Sequence, residues 1–477
     1  ADGELAGNTS YTLTLQGDNG SGYVIVFADD SAIGTDVNIT VITDSAVSAD
    51  MGAGSGTIRN LTINDASCVL TQAGACEING NLTITAGELN TNASSNHALT
   101  VTGVTQIGDG SGGTPDEATL TCNASTCSFG SGYTADYGLI VKANGTFNGG
   151  SGTHTAGGFY MDQNEDAKAT LTSDVMTINS EKTSANKCFR VEYGGDTFDN
   201  NNGTVKFQFN GFDSRMSMRS ESHANNAFYN LIVHMNGDTR QLSIDNGTDV
   251  KVEKDLTVAR GILNVGSNHD FEVVEDVDVG SDSQVSKLKF SASSTKAANF
   301  GSLTIGADGT YEATSGITSI LSSASNYAID NGGTFTHNDG TVTIGPDASN
   351  QWLKGSGTGA YYNLISDNSS SLGMGVGADL VVDNDLTINA SKKLGFVGAS
   401  YDVTVTGSVL VSGNFTTSTT PTGDHTFGDL TIASGGEYIA TSGVTSIATG
   451  DFDNSGTFTH NLGTVTFTHA TNTQNIN

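Results

Sequence analysis

The sequence predicts an all-β chain wound as a parallel β-helix, or β-solenoid. Three observations predict it: short alternating apolar runs, a composition dominated by turn residues, and long internal repeats. Runs such as "YTLTLQG", "YVIVF", "VNITVIT", "HALTVTGV", "DFEVVEDVDV" and "YDVTVTGSVLV" alternate or run β-branched, as strands with one buried face do. No stretch of ten residues carries the period of an amphipathic helix. The 477 residues include 61 Gly but 3 Pro, and Gly, Asn, Asp or Ser bounds each run. An array of β-sandwich domains is the alternative, since it also shows short strands and turn signals. It would favour regular linkers, and no Pro/Ser-rich linker is visible.

Four segments follow in chain order. Residues 1–55 form an N-terminal β segment, expected to act as a cap or as a strand donated to a neighbour's open edge. Residues 56–227 form a divergent first repeat that holds the close cysteine pairs. Residues 228–360 form a second repeat, and residues 361–477 a third that stops inside the pattern. The second and third align closely. "FYNLIVHMNGDTRQLSIDNGTDVKVEKDLTV" from Phe228 matches "YYNLISDNSSSLGMGVGADLVVDNDLTI" from Tyr361. "FGSLTIGADGTYEATSGITSI" from Phe300 matches "FGDLTIASGGEYIATSGVTSI" from Phe427. "GGTFTHNDGTVTIG" from Gly332 matches "SGTFTHNLGTVTFT" from Ser455. The offsets shrink from 133 to 130, 127 and 123, so the copies differ by small deletions between strands, where turns tolerate length change. The marks LTI and TVT recur every ~20–30 residues inside a copy, the spacing of solenoid coils.

Charge excludes some partners. Nineteen Lys and Arg face 51 Asp and Glu, a formal charge of −32. Few cations are available to neutralise phosphates, so a nucleic-acid partner is not expected, nor docking on anionic lipid. No run approaches the ~18 apolar residues of a membrane span. The balance fits solubility, a salty medium or divalent-cation binding. No cofactor is expected, calcium being the one ion left open. The start "ADGELAG" has the look of a mature terminus left after cleavage.

Cys68 with Cys76, and Cys122 with Cys127, form two close pairs in a Gly/Thr/Asn-rich chain. Both pairs are expected to be disulfides formed in an oxidising compartment; Cys188 has no evident partner. Neither pair has zinc-site spacing. Among the Asn-x-Ser/Thr sites, Asn144, Asn246 and Asn368 adjoin turns and are the glycosylation candidates.

The repeated His337 and His460 read as metal ligands or bases, or as polar groups at a turn. The first copy, "TFDNNNGTVKF", keeps Phe198, Gly203 and Val205 but has Asn200 in the histidine's place. Asn can cap a turn but cannot replace a base, so the histidines are read as scaffold. In "VEDVDVGSD", Asp276 and Asp278 share a strand face and Glu275 opposes them. The third copy has no acids there, so the cluster is read as a solvated face. Trp352, Tyr361 and Tyr362 are the one local aromatic group. Tyr362 recurs as Tyr229, which favours packing. No nucleophile elbow, Walker loop or HExxH motif appears, and no catalytic or metal residue is assigned.

The strings of the type GTFTHNxGTVTF, followed by Q-x-I and FYNLTI, resemble repeats of large secreted bacterial and archaeal surface proteins. The resemblance covers about Asn60 to Asn477. It implies a parallel β-helix of adhesin-like or structural type and brings no catalytic residue with it. The expected role is an extracellular, cell-surface structural protein: a subunit of a filament, sheath or surface layer. Assembly would use β-strand addition or end-to-end stacking through Tyr11, Leu13 and Leu15 at one end and Gln474 and Ile476 at the other. An adhesin stalk binding glycans or a host surface is the alternative; a carbohydrate-active β-helix of the phage tail-spike type is the second.

Overall fold

A computed structural model describes residues 12–17, 23–26, 37–43, 46–50, 58–111, 117–130, 137–162, 166–179, 187–192, 198–209, 213–218, 226–245, 249–267, 269–321, 327–345, 352–354, 357–368, 374–396, 400–416, 422–469 and 473–477. Among these, the regular elements are strands and no helix occurs. The chain divides into two units, Ala1–Val250 and Lys251–Asn477.

In the second unit each coil carries short strands on three faces. The first face stacks Ser286–Phe290, Gly309–Glu312 and Thr334–Thr336, then resumes with Leu380–Val382, Val403–Val411, His425–Ile432, Val444–Ile447 and Thr464–Phe467. Each pair is parallel. Partners on this face lie one coil apart in sequence, as Leu288, Tyr311 and Phe335 do. Parallel ladders of this kind overturn the β-sandwich alternative, whose sheets are antiparallel.

Alternation explains why these residues wind inward. In Thr341–Ile344, Val342 and Ile344 are buried and the two threonines are half-exposed. On the second face the inward column reads Phe271, Ala298, Thr318, Val342, Leu364, Leu386, Val409, Leu430 and Phe452. Full burial of each large apolar side chain contributes about 1.5–3 kcal/mol, so every rung brings its own share of core.

The first unit follows the same rule. One of its faces stacks Cys76–Ile78, Leu99–Val101, Cys127–Phe129, His154–Ala156, Val175–Ile178 and Thr204–Phe207 in parallel.

Asn and Asp serve the corners, where the strand ladder lapses and backbone N–H groups need acceptors. Asp379 Oδ1 accepts from the Asp402 N–H (2.9 Å), Asp402 Oδ1 from Asp424 (2.7 Å), and Asp424 Oδ1 from Val444 (2.8 Å). In the first unit Asn38, Asn60 and Asn81 form a similar column, ending on the Val104 N–H. Much of the acidic and amide content is thus coil-to-coil structure.

Sequence copies and coils have different periods. Phe300 and Phe427 are equivalent by alignment. Yet Phe300 stands in the column that leads through Ile320, Ile344, Ser366, Ile388 and Val411 to Ile432. Phe427 stands in the neighbouring column, next to Val405 and Val382. The third repeat is therefore turned by one face relative to the second.

Candidate functional site

The repeated histidine string forms a tight turn between faces. Gly340 N–H donates to the His337 carbonyl (2.9 Å), and Asn338 and Asp339 both have positive φ, the signature of a type I′ turn. His337 Nδ1 accepts from the Asp339 N–H at 2.9 Å. At the next copy His460 Nδ1 accepts from the Leu462 N–H at 3.0 Å. In the first unit Asn200 Oδ1 accepts from the Asn202 N–H at 2.9 Å. Asn and His thus make the same bond at this turn. The following glycine is sterically required: a Cβ on Gly203, Gly340 or Gly463 would meet the carbonyl oxygen of Thr172, Thr314 or Thr441 at 1.9, 2.1 or 2.3 Å. Those threonines are buried, and their hydroxyls donate to Gly152, Ser294 and Gly423 carbonyls. The sequence reading did not single them out; for Thr314 and Thr441 the repeated "ATSG" was the available signal.

His337 also meets Asp383 (Nε2 to Oδ2, 3.2 Å) and stacks on Tyr362. Beside it the first face thins. Between Thr334–Thr336 and Leu380–Val382 it is carried by isolated bridges at Thr358 and Tyr361. A groove of about 1060 Å³ opens there, lined among others by Asp330, Lys354, Tyr361, Asp379, Val381 and Tyr401. Its charged groups are engaged in the scaffold: Lys354 pairs with Asp330 at 3.3 Å, and Asp379 holds the Asp402 N–H.

The four candidate disulfide cysteines, and Cys188, are buried free thiols in this structure. Cys68 lies at a corner, hydrogen-bonded to Thr43. Burial pushes the Cys76 and Cys188 thiols up to about 12. The second pair is different. Cys122 and Cys127 flank a turn closed by the Ser125 N–H on the Cys122 carbonyl at 2.9 Å, and the Cys127 Sγ lies 4.0 Å from the Ser125 carbonyl oxygen. Cys127 also faces His154, its register partner in the next coil. His154 Nε2–H donates to the Gly149 carbonyl at 2.7 Å, and its buried Nδ1 has no hydrogen-bond partner. Burial pushes Cys122 well up, whereas its hydrogen bond to Cys127, with help from His154, pulls the Cys127 thiol down despite burial.

Asp276 and Asp278 do share a face, with Asp276 accepting from Ser302 Oγ at 2.5 Å. Burial, then Asp276 and Asp255, raises the Asp278 carboxyl above its ordinary range. Among the described residues no group of three His, Cys, Asp or Glu is arranged to hold a metal ion. Asn144 is half-buried at a turn with φ of 61°. Asn368 is fully buried, so a glycan there would require its coil to open, and this candidate is withdrawn. Asn246 lies outside the described residues, as does Tyr11.

Leu13 and Leu15 pair in register with Ile39 and Val41 of the same chain. That strand is thus a rung of its own solenoid, paired through one edge with Asn38–Thr43. Gln474 is likewise held internally, donating to the Ile447 and Gly450 carbonyls at 3.0 and 2.9 Å. Ile476 bridges Phe452 and remains 69% exposed. No helix among the described residues is long and apolar enough to cross a membrane. Compared with models of known families, with curated proteins and with solved structures, the chain matches none of them.

Proposed function

We propose that this chain is an extracellular structural protein, a subunit of a filament, sheath or surface layer that grows by rung-to-rung β-pairing. The observation that carries the reading is rung continuity: inward apolar columns and corner Asx columns repeat from coil to coil. A surface built this way accepts a further parallel strand with no new design. In the rung Thr464–Phe467, Phe467 is 36% exposed, whereas its partner Ile447 is fully buried.

Negative-stain electron microscopy and sedimentation of the purified chain test this. Concentration-dependent rods or filaments are expected, and Phe467→Lys should shift the assembly threshold upward at least tenfold. A monodisperse particle at all concentrations up to millimolar, unchanged by the substitution, would overturn the proposal. The groove beside Tyr361 favours the adhesin reading second, and a glycan array decides for it if binding depends on Tyr401.

A further inference from the structure

Three thiols in the first unit have ordinary structural surroundings. Cys188 donates to the Arg215 carbonyl at 3.3 Å, Cys68 bonds Thr43, and Cys76 sits in an apolar rung beside Leu99. Cys122, Cys127 and His154 form the exception. Two cysteines that bracket one tight turn, with a register neighbour whose buried imidazole Nδ1 has no hydrogen-bond partner, are more than a buried polar remnant requires. The equivalent columns elsewhere in this face hold Leu99, Met176 and Val205. Phe129 and Phe147 pack around the histidine with ring centroids 6.1 and 6.2 Å away. The cluster also lies close to solvent in one direction. Ala124 and Thr126, at the tip of the turn between the two cysteines, are exposed. One turn thus separates the sulfurs from the surface.

We propose that Cys122 and Cys127 form an oxidisable dithiol, in which Cys127 is the thiol attacked by a small peroxide, Cys122 resolves it, and His154 handles the proton. Cys127 passes its proton to His154 Nδ1, and the thiolate sulfur attacks one oxygen of hydrogen peroxide. The O–O bond breaks, Cys127 becomes a sulfenic acid, and the departing hydroxide takes the proton back from His154 as water. The Cys122 sulfur then displaces the sulfenic hydroxyl, forming the S–S bond and releasing a second water with the Cys122 proton. Overall two thiols and one peroxide give one disulfide and two waters. The product clamps the turn at Asn123–Thr126 and leaves Cys68, Cys76 and Cys188 reduced.

The test treats the folded chain with hydrogen peroxide, then quenches, unfolds and alkylates it for mass spectrometry. The expected product has three of its five cysteines alkylated and a peptide linking Cys122 to Cys127. Cys122→Ser with a sulfenic-acid trap should carry one adduct, on Cys127. Cys127→Ser should carry none on Cys122. His154→Gln should slow the wild-type reaction at least tenfold. Five alkylatable thiols after treatment, a disulfide involving any other cysteine, or equal trapping in the two serine variants would overturn the proposal. The wild-type map decides the pairing whether or not a variant folds.

Discussion

His425 gives the sharpest quantitative test of the packing. It sits in the inward column of the first face between Val403 and Thr445, 1% exposed. Phe396, Phe415, Phe427 and Tyr438 surround it with ring centroids 5.7–6.1 Å away. Nδ1 meets the Tyr438 hydroxyl at 2.7 Å, and burial lowers its pKa from the ordinary 6.5 to about 4, against a small opposing pull from Asp424. Below pH 6.5 the unfolded chain holds a proton on this ring that the folded chain refuses until about pH 4. The stabilisation is therefore fully present above pH 6.5, declines as pH falls through the window, and levels off below 4. A shift of this size corresponds to about 3 kcal/mol. The perturbation is His425→Phe, which keeps the aromatic volume and removes the titration; Tyr438 retains Thr445 Oγ1 at 3.3 Å. Its neighbours in the column are Val403 and Thr445, so the column does not require a histidine. Hydrogen-exchange protection of the Tyr438 amide is the assay. After correction for intrinsic rates, wild-type protection should fall about a hundredfold more than that of the variant between pH 7 and pH 4. Equal losses, or a folded-state ring titration centred near 6.5, would refute the reasoning.

Two further outcomes follow from the histidine turn. His337→Asn should change stability by less than about 0.5 kcal/mol, because Asn200 already makes the same bond, whereas His337→Ala should lose about 1 kcal/mol; local hydrogen exchange at Asp339 distinguishes them. Gly340→Ala should cost about 1–3 kcal/mol, because its Cβ would lie 2.1 Å from the Thr314 carbonyl oxygen and a backbone must shift; thermal unfolding measures it.

The alternation in "TVTI" was enough to orient Val342 and Ile344 inward, because a strand's side chains have a period of two and no rearrangement of neighbours alters that. The histidine's expendability was legible for a similar reason: Asn200 in the first copy limits what the position can be doing. The cysteines were less legible. Spacing treats Cys68/Cys76 and Cys122/Cys127 alike. Yet Cys127 faces Cys122 and His154 through a turn and a register pair 27 residues away, and spacing contains neither. Asn368 misled because a sequon beside a turn reads as surface until the coil is closed around it. Leu13, Leu15 and Gln474 read as assembly ends; what spacing does not contain is that each bonds to the adjacent coil of its own chain.

By itself the sequence determined the strand character, the inward and outward faces, the turn chemistry and the existence of repeats, since all of these are local or periodic properties of the chain. The tertiary structure alone decided which face each strand occupies. A repeat shared by sequence need not equal a whole number of coils, and the three faces offer the same apolar column and the same backbone ladder. Phe300 and Phe427 therefore share a motif and stand on different faces, at no energetic cost that the sequence could register.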